Sequence, residues 1–333
     1  MFDWLPSSAK IPPVDRVVRS HYLRPVELVP WVLAVGAYFA FDSYLPLGSQ
    51  ILIMILFALS VDLVMGYAGI VTLGQAAFFG VGAYTAGIYA VHVTGEPLSG
   101  LVLGGLAAAL VGFVSGLVIL RTHGLTLLML TLAVASLLQE AANKASFITG
   151  GADGLQGMSI DPILGLFRFD LFGKTAYLYC LVVLFLVWVF ARLLVHSPFG
   201  QTLTGIRENV TRMHAIGSPV RRRLLTIYTI AAGLAGIAGA LLAQTTQFVG
   251  LTVLTFERSG EIVIMLVFGG IGRLYGAFVG AAFYMIAQDQ LAKIDPIFWN
   301  FWIGLLLVLI VMFARGGILG LLDQAWRMLR RRR

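Results

Sequence analysis

The feature that most constrains this chain is where charge is missing. Asp, Glu, Lys and Arg are absent from 43–61, 63–95, 97–120, 122–139, 175–191, 224–256, 274–288 and 296–314. Those stretches are built from Leu, Val, Ala, Ile, Phe and Gly. A charged side chain at mid-bilayer costs about 2.5–3.5 kcal/mol on the insertion scale, so such gaps are what membrane-crossing helices require. Composition agrees: 12% of the 333 residues are charged and 59% are hydrophobic. Soluble domains carry about 25% charged residues. A chain this poor in charge cannot cover a water-facing surface, which excludes a soluble enzyme. Its apolar content also excludes a disordered or collagen-like chain.

About 20 residues cross a bilayer as helix. The pattern therefore predicts an all-α polytopic membrane protein of about ten spans: 26–41, 50–65, 76–93, 99–120, 124–140, 175–195, 224–243, 259–271, 275–289 and 298–314. The stretches 63–95 and 224–256 are too long for one span, so each must hold a span plus a turn or a second helix. The short pieces 259–271 and 275–289 are separated by Gly269, Gly270, Gly272 and Gly276. They read as two short spans or as a broken, re-entrant pair. A polar stretch with Pro6, Pro12 and Pro13 precedes the first apolar run, which is not the pattern of a cleavable signal peptide.

Orientation follows from the cations. With the N-terminus inside and strict alternation, 18 of the 23 Lys and Arg fall inside; only Lys144, Arg168, Lys174, Arg258 and Lys293 fall outside. This is a strong positive-inside bias. It divides the chain into a cytoplasmic segment (1–25), a transmembrane domain (26–320) and a basic cytoplasmic tail (321–333). The run Arg330 to Arg333 suits an anionic inner leaflet better than nucleic acid.

Two loops are long. The outer segment 141–174 carries Gly150, Gly151, Asp153 and Gly154 and is long enough for a small extracytoplasmic cap. The inner segment 196–223 opens on the turn Ser197-Pro198-Phe199-Gly200. Leu203, Ile206, Val210, Met213 and Ile216 then recur at three- or four-residue spacing. This predicts an amphipathic helix of about three turns, with Arg207, Glu208, Arg212 and His214 on its polar side and Gly217-Ser218-Pro219 at its end. Two readings fit: a surface helix that anchors the loop, or a docking helix for a cytoplasmic partner.

Glycine is also positioned. Gly100 and Gly104, Gly112 and Gly116, and Gly272, Gly276 and Gly280 have the small-xxx-small spacing of close helix packing. Two other clusters interrupt apolar stretches: Gly66-Tyr67-Ala68-Gly69 through Gly74-Gln75, and Gly269-Gly270-Ile271-Gly272. Broken helices are tolerated in a membrane only where the backbone is buried or lines a cavity. Two such breaks point to a translocation path between two pseudo-symmetric halves. Its candidate residues are Asp62, Gly66, Gly69, Gly74, Gln75, Gly269, Gly270 and Gly272. Asp62, the clearest intramembrane acid, reads as a hydrogen-bonded structural residue or as a proton-coupling group.

Signatures of catalysis are missing. No GxxxxGK[ST] occurs; Gly173-Lys174-Thr175 has Arg168 where the first glycine belongs. The chain therefore lacks the phosphate loop through which it could hydrolyse ATP itself. No HExxH or GxSxG is present, the five histidines are far apart, and Cys180 is the lone cysteine. Neither a metal site nor a hydrolase nucleophile is indicated.

The segment from Gly66 to Thr85, GYAGIVTLGQAAFFGVGAYT, resembles the signature of bacterial branched-chain amino acid ABC transporter permeases, in the subunit type with the large outer loop. Three further blocks agree in order: Thr149 to Leu155, the loop from Ser197 to Gly217 with Ile206-Arg207-Glu208-Asn209, and Glu261 to Gly280. The resemblance implies a heterodimer with a sister permease, two cytoplasmic ATPase subunits that bind ATP and a periplasmic binding protein that delivers substrate. It implies import across the bacterial inner membrane. It also makes Gly200, Ile206, Arg207, Glu208, Asn209, His214 and Gly217 the ATPase-coupling loop. This sequence departs from the family at Val210 to His214, where acidic and small residues are usual. Relatives in the family carry branched-chain and other amino acids, urea or short amides, or aromatic acids. A stand-alone proton-coupled carrier working through Asp62 is the competing reading.

Overall fold

The structure is a computed structural model. It describes residues 29–40, 44–162, 173–313 and 316–320. The expected N-terminal segment 1–25, the basic tail and Arg168 lie outside the described residues.

Each of the ten expected segments is helical. They are α1 Val29–Ala40, α2 Leu45–Asp62, α3 Gln75–His92, α4 Pro97–Ile119, α5 Leu125–Lys144, α6 Lys174–His196, α9 Val220–Thr246, α10 Phe256–Gly269, α11 Leu274–Ile294 and α12 Trp299–Phe313. Two more, α7 Pro198–Glu208 and α8 Val210–Ala215, form the loop between α6 and α9. Among the described residues, α2 with its C-terminal extension, α4, α5, α6 and α9 are each long and apolar enough to cross a membrane. The chain is an all-α polytopic membrane protein. Helices α10 and α11 qualify only together and are bent by 113° at their break, as in a broken span or a re-entrant pair. Prolines 46, 97 and 198 open α2, α4 and α7, where a fixed φ and a missing N–H cost nothing.

Helix α9 is the centre of the bundle and packs on α2, α3 and α4. In lipid, burial does not drive helices together, so close approach of backbones must. Glycine supplies it. A Cβ on Gly104 would stand 2.8 Å from the Gly82 carbonyl oxygen and 3.0 Å from the Ala240 methyl. One on Gly236 would stand 2.8 Å from the Gly104 carbonyl oxygen. One on Gly116 would meet the Tyr228 ring at 3.0 Å. Aromatic rings fill what remains. Tyr228 is fully buried and meets Phe78 edge-on at 5.5 Å, and Phe57 stacks on Phe79 at 4.6 Å.

The connections sort to two ends of the bundle. At one end, α2 runs into a π-helical turn, Leu63–Tyr67, which packs against α7. At the other, Gln244 near the end of α9 donates to the Pro97 carbonyl at 2.7 Å and accepts from the Tyr179 hydroxyl at 3.0 Å. There too the described residues of the 141–174 connection fold down. Leu155 and Val249 exchange both backbone hydrogen bonds, and Asp161 N donates to the Gly95 carbonyl at 2.9 Å. Val220 and Thr246 are 26 residues apart on one helix, so roughly 40 Å separates the two ends.

Candidate functional site

The site is built where three separate segments meet: the end of α2, the break between α10 and α11, and the loop helix α7. Asp62 closes α2 and is fully buried. Its Oδ1 accepts the Gly272 N–H at 2.7 Å, so the first break is tied to the second across 210 residues of sequence. Gly66 lies one turn further on, in the π turn; such wide turns mark functional sites in helices. A Cβ here would stand 2.6 Å from Gly272 N and 2.7 Å from Gly272 Cα. Only glycine lets the two backbones pass. The Tyr67 hydroxyl oxygen faces the Leu274 N–H.

Arg207 reaches this junction from α7. Its Nη1 donates to the Gly66 carbonyl oxygen. Its stem covers Gly69, whose φ of +73° is left-handed; a Cβ there would meet Arg207 Cγ at 2.9 Å. Its Nη1 also lies 2.9 Å from where a Gly272 Cβ would be, and Gly272 is left-handed too. One guanidinium therefore touches both breaks. The charge of Arg207 acts on the Asp62 carboxylate, but Asp62 Oδ2 is buried with no hydrogen-bond partner.

The loop corrects one expectation. A single helix of about three turns is expected between Gly200 and Gly217, and the structure divides it at Asn209. Asn209 takes an extended conformation and its Oδ1 accepts the Arg212 N–H at 2.9 Å, starting α8 as an N-cap. Asparagine favours that role over a helix interior. Helix α7 keeps its apolar face, with Gly200, Leu203 and Ile206 buried. Ser197 caps it by accepting the Gly200 N–H at 3.3 Å. Helix α8 buries nothing: Val210 and Ile216 are exposed, 42% and 71%, beside exposed Glu208, Asn209, Arg212 and His214. Gly217, left-handed with φ +83°, turns the chain toward α9.

Other candidates lie elsewhere. Gly74 and Gln75 start α3 away from the Arg207 junction. A Cβ on Gly74 would stand 2.6 Å from the Thr131 carbonyl oxygen of α5, and Ala76 N donates to Ser259 Oγ of α10 at 3.1 Å. Gln75 is buried there, and neither its amide oxygen nor its nitrogen has a partner. Gly269 packs on Gly276, and Gly270 with φ +106° turns the chain into the break. Gly150, Gly151, Asp153 and Gly154 lie together at the opposite end of the bundle, where Gly154 lies under the Phe248 ring. Sequence reasoning missed Ser259 and the Leu155–Val249 bridge. Pairings between remote segments leave no periodic trace, although the loop residue Leu155 stands inside the TGGADGL block.

The model of the family described as the branched-chain amino acid transport system permease component matches residues 44–315. The chain belongs to that family. It is 27% identical over 290 residues to the high-affinity branched-chain amino acid transport system permease protein LivM of Escherichia coli K12, covering 80% of this chain and 68% of that one. A probable branched-chain amino acid transport permease protein LivM of Methanocaldococcus jannaschii is 25% identical over 313 residues, covering 79% and 89%. The L-arabinose ABC transporter permease protein AraH of Azospirillum brasilense is 27% identical over 247 residues, covering 71% and 68%. No solved structure matches. The family makes this chain an ABC transporter permease, a multi-pass membrane protein.

Proposed function

We propose that the chain is the translocation subunit of an ATP-driven importer for branched-chain or related amino acids. In this reading a sister permease completes the pore, and a periplasmic binding protein delivers substrate in the bacterial inner membrane. Two cytoplasmic ATPases supply the energy, since the chain carries no phosphate loop. The observation that carries the proposal is the contact of Arg207 with both helix breaks. An ATPase that shifts α7 then acts directly on Gly66 and Gly272. The exposed surface of Glu208, Asn209, Val210, Arg212, His214 and Ile216 mixes polar groups with apolar ones, as a docking face should.

Orientation follows from the cation asymmetry, with both termini and the α7–α8 loop cytoplasmic and the Gly150–Gly154 cap outside. Substrate passes between two halves that rock around a midplane cavity. Urea, short amides and aromatic acids remain substrate alternatives within the same family of machines.

The test is to express the chain with its neighbouring genes and ask what co-purifies. Arg207→Glu with Gly217→Pro is expected to release the ATPase subunits and abolish uptake. ATPases that stay bound with normal uptake refute the loop assignment. Uptake by the chain alone under a pH gradient selects the proton-coupled carrier instead.

A further inference from the structure

Asp62 holds a buried carboxylate with one oxygen committed and one idle. Oδ1 takes the Gly272 N–H, while Oδ2 is enclosed and unbonded. Buried polar atoms are almost always satisfied, and one that is not needs a reason. A second state that supplies the partner is such a reason.

Three partners suit a carboxylate oxygen: a metal cation, a proton or a protein cation. A bound metal cation is disfavoured because Arg207 already places positive charge on this carboxylate. Arg207 is itself the nearest fit. Its Nη1 holds the Gly66 carbonyl, and Gly66 follows Asp62 by four residues on the same helical run. A Cβ on Gly66 would press on Asp62 Oδ1, so the Gly66 carbonyl and the Asp62 carboxylate lie side by side, and the guanidinium passes from one to the other by a swing of its side chain. Packed interfaces change by such discrete steps rather than by continuous deformation. The path is lined by glycine at Gly66, Gly69 and Gly272, so no side chain other than that of Asp62 stands in it at those positions.

We propose that Asp62 and Arg207 form a two-position switch, in which Arg207 leaves the Gly66 carbonyl and pairs with Asp62 Oδ2 when the ATPases close. Asp62 is a positioning residue in this scheme. The exchange would free α7 from Gly66 and move it against α2, while the Gly272 N–H keeps its hold on Asp62 Oδ1 and α11 stays with α2. The inference rests on the permease reading above.

The test is a double-mutant cycle in the full complex, in nanodiscs, in a Cys180→Ser background. Spin labels at Ile216→Cys and Ile294→Cys report the distance from the loop to the far end of α11; both positions are exposed. Wild type is expected to shift to a second, distinct distance on adding ATP. Asp62→Asn keeps an acceptor for Gly272, and Arg207→Gln keeps a donor for Gly66. Each is expected to abolish most of the shift and to lower ATP turnover about tenfold. The double variant should be no worse than either, because partners in one interaction are not additive. A full shift in Asp62→Asn, or two defects that multiply to about a hundredfold, overturns the switch. Should Asp62→Asn fail to assemble, Arg207→Lys decides: it keeps the charge and must retain the shift that Arg207→Gln loses, and equal loss overturns the switch. A wild-type complex that hydrolyses ATP without moving also overturns it. A chain that recruits no ATPase overturns the permease reading, and the switch with it.

Discussion

Gly66→Ala sharply tests whether the two breaks form one junction. The added methyl would meet Gly272 N at 2.6 Å and Gly272 Cα at 2.7 Å, and it would press on Asp62 Oδ1. These contacts are backbone and a carboxylate that is already engaged, so nothing flexible can yield. Overpacking of this kind costs about 1–3 kcal/mol. The break must also retreat and lose the 2.7 Å bond from Gly272 N to Asp62. That leaves a fully buried acid unsatisfied, a penalty of about 1–3 kcal/mol. Alanine returns at most about 1 kcal/mol of helix preference. The net is about 3 kcal/mol of destabilisation. The apparent unfolding midpoint of the purified chain in nanodiscs should then fall by roughly 6–12 °C, taking roughly 2–4 °C per kcal/mol as for domains of 150–250 residues. Gly260→Ala is the matched control: it lies within α10, and its Cβ would meet nothing within 4 Å. Its midpoint should hold or rise. Wild-type stability in Gly66→Ala, or a loss in both, would refute a glycine contact between the breaks.

Two further substitutions address the loop and the cap. Asn209→Ala removes the side chain that starts α8, at a local cost of about 0.5–2 kcal/mol; amide exchange should quicken over 210–215 and stay unchanged in α9. Gly154→Ala places a methyl 2.8 Å from the Phe248 ring and 2.9 Å from the Val249 carbonyl oxygen at a φ of +75°. Strain of about 1–3 kcal/mol should release the Leu155–Val249 bridge and make 150–162 sensitive to protease added from the cap side.

The membrane helices were legible because charge exclusion acts on every residue of a span. Each charge-free stretch corresponds to a helix or to a helix with its break, and Gly66 and Gly269–Gly272 mark real interruptions. Pro198 after Ser197 announced the start of α7 for a local reason, cap chemistry. The same chemistry at Asn209 was readable yet outweighed by the apolar spacing of Val210, Met213 and Ile216, whose face turned out to be solvent-exposed or half-buried. What the sequence concealed is which remote backbones touch. Asp62 with Gly272 and Ala76 with Ser259 are single hydrogen bonds between segments far apart in the chain. Tertiary pairing of that kind has no period to detect, and glycines that permit it look the same as glycines that simply pack.

The glycine-to-backbone contacts among α3, α4 and α9 set how this machine is able to flex. Sliding any one of the three would drive a carbonyl into a neighbour's Cα, so they are locked as a keel. Bending is left to elements outside this trio, and a stroke of the kind proposed for α7 would have to be taken up there.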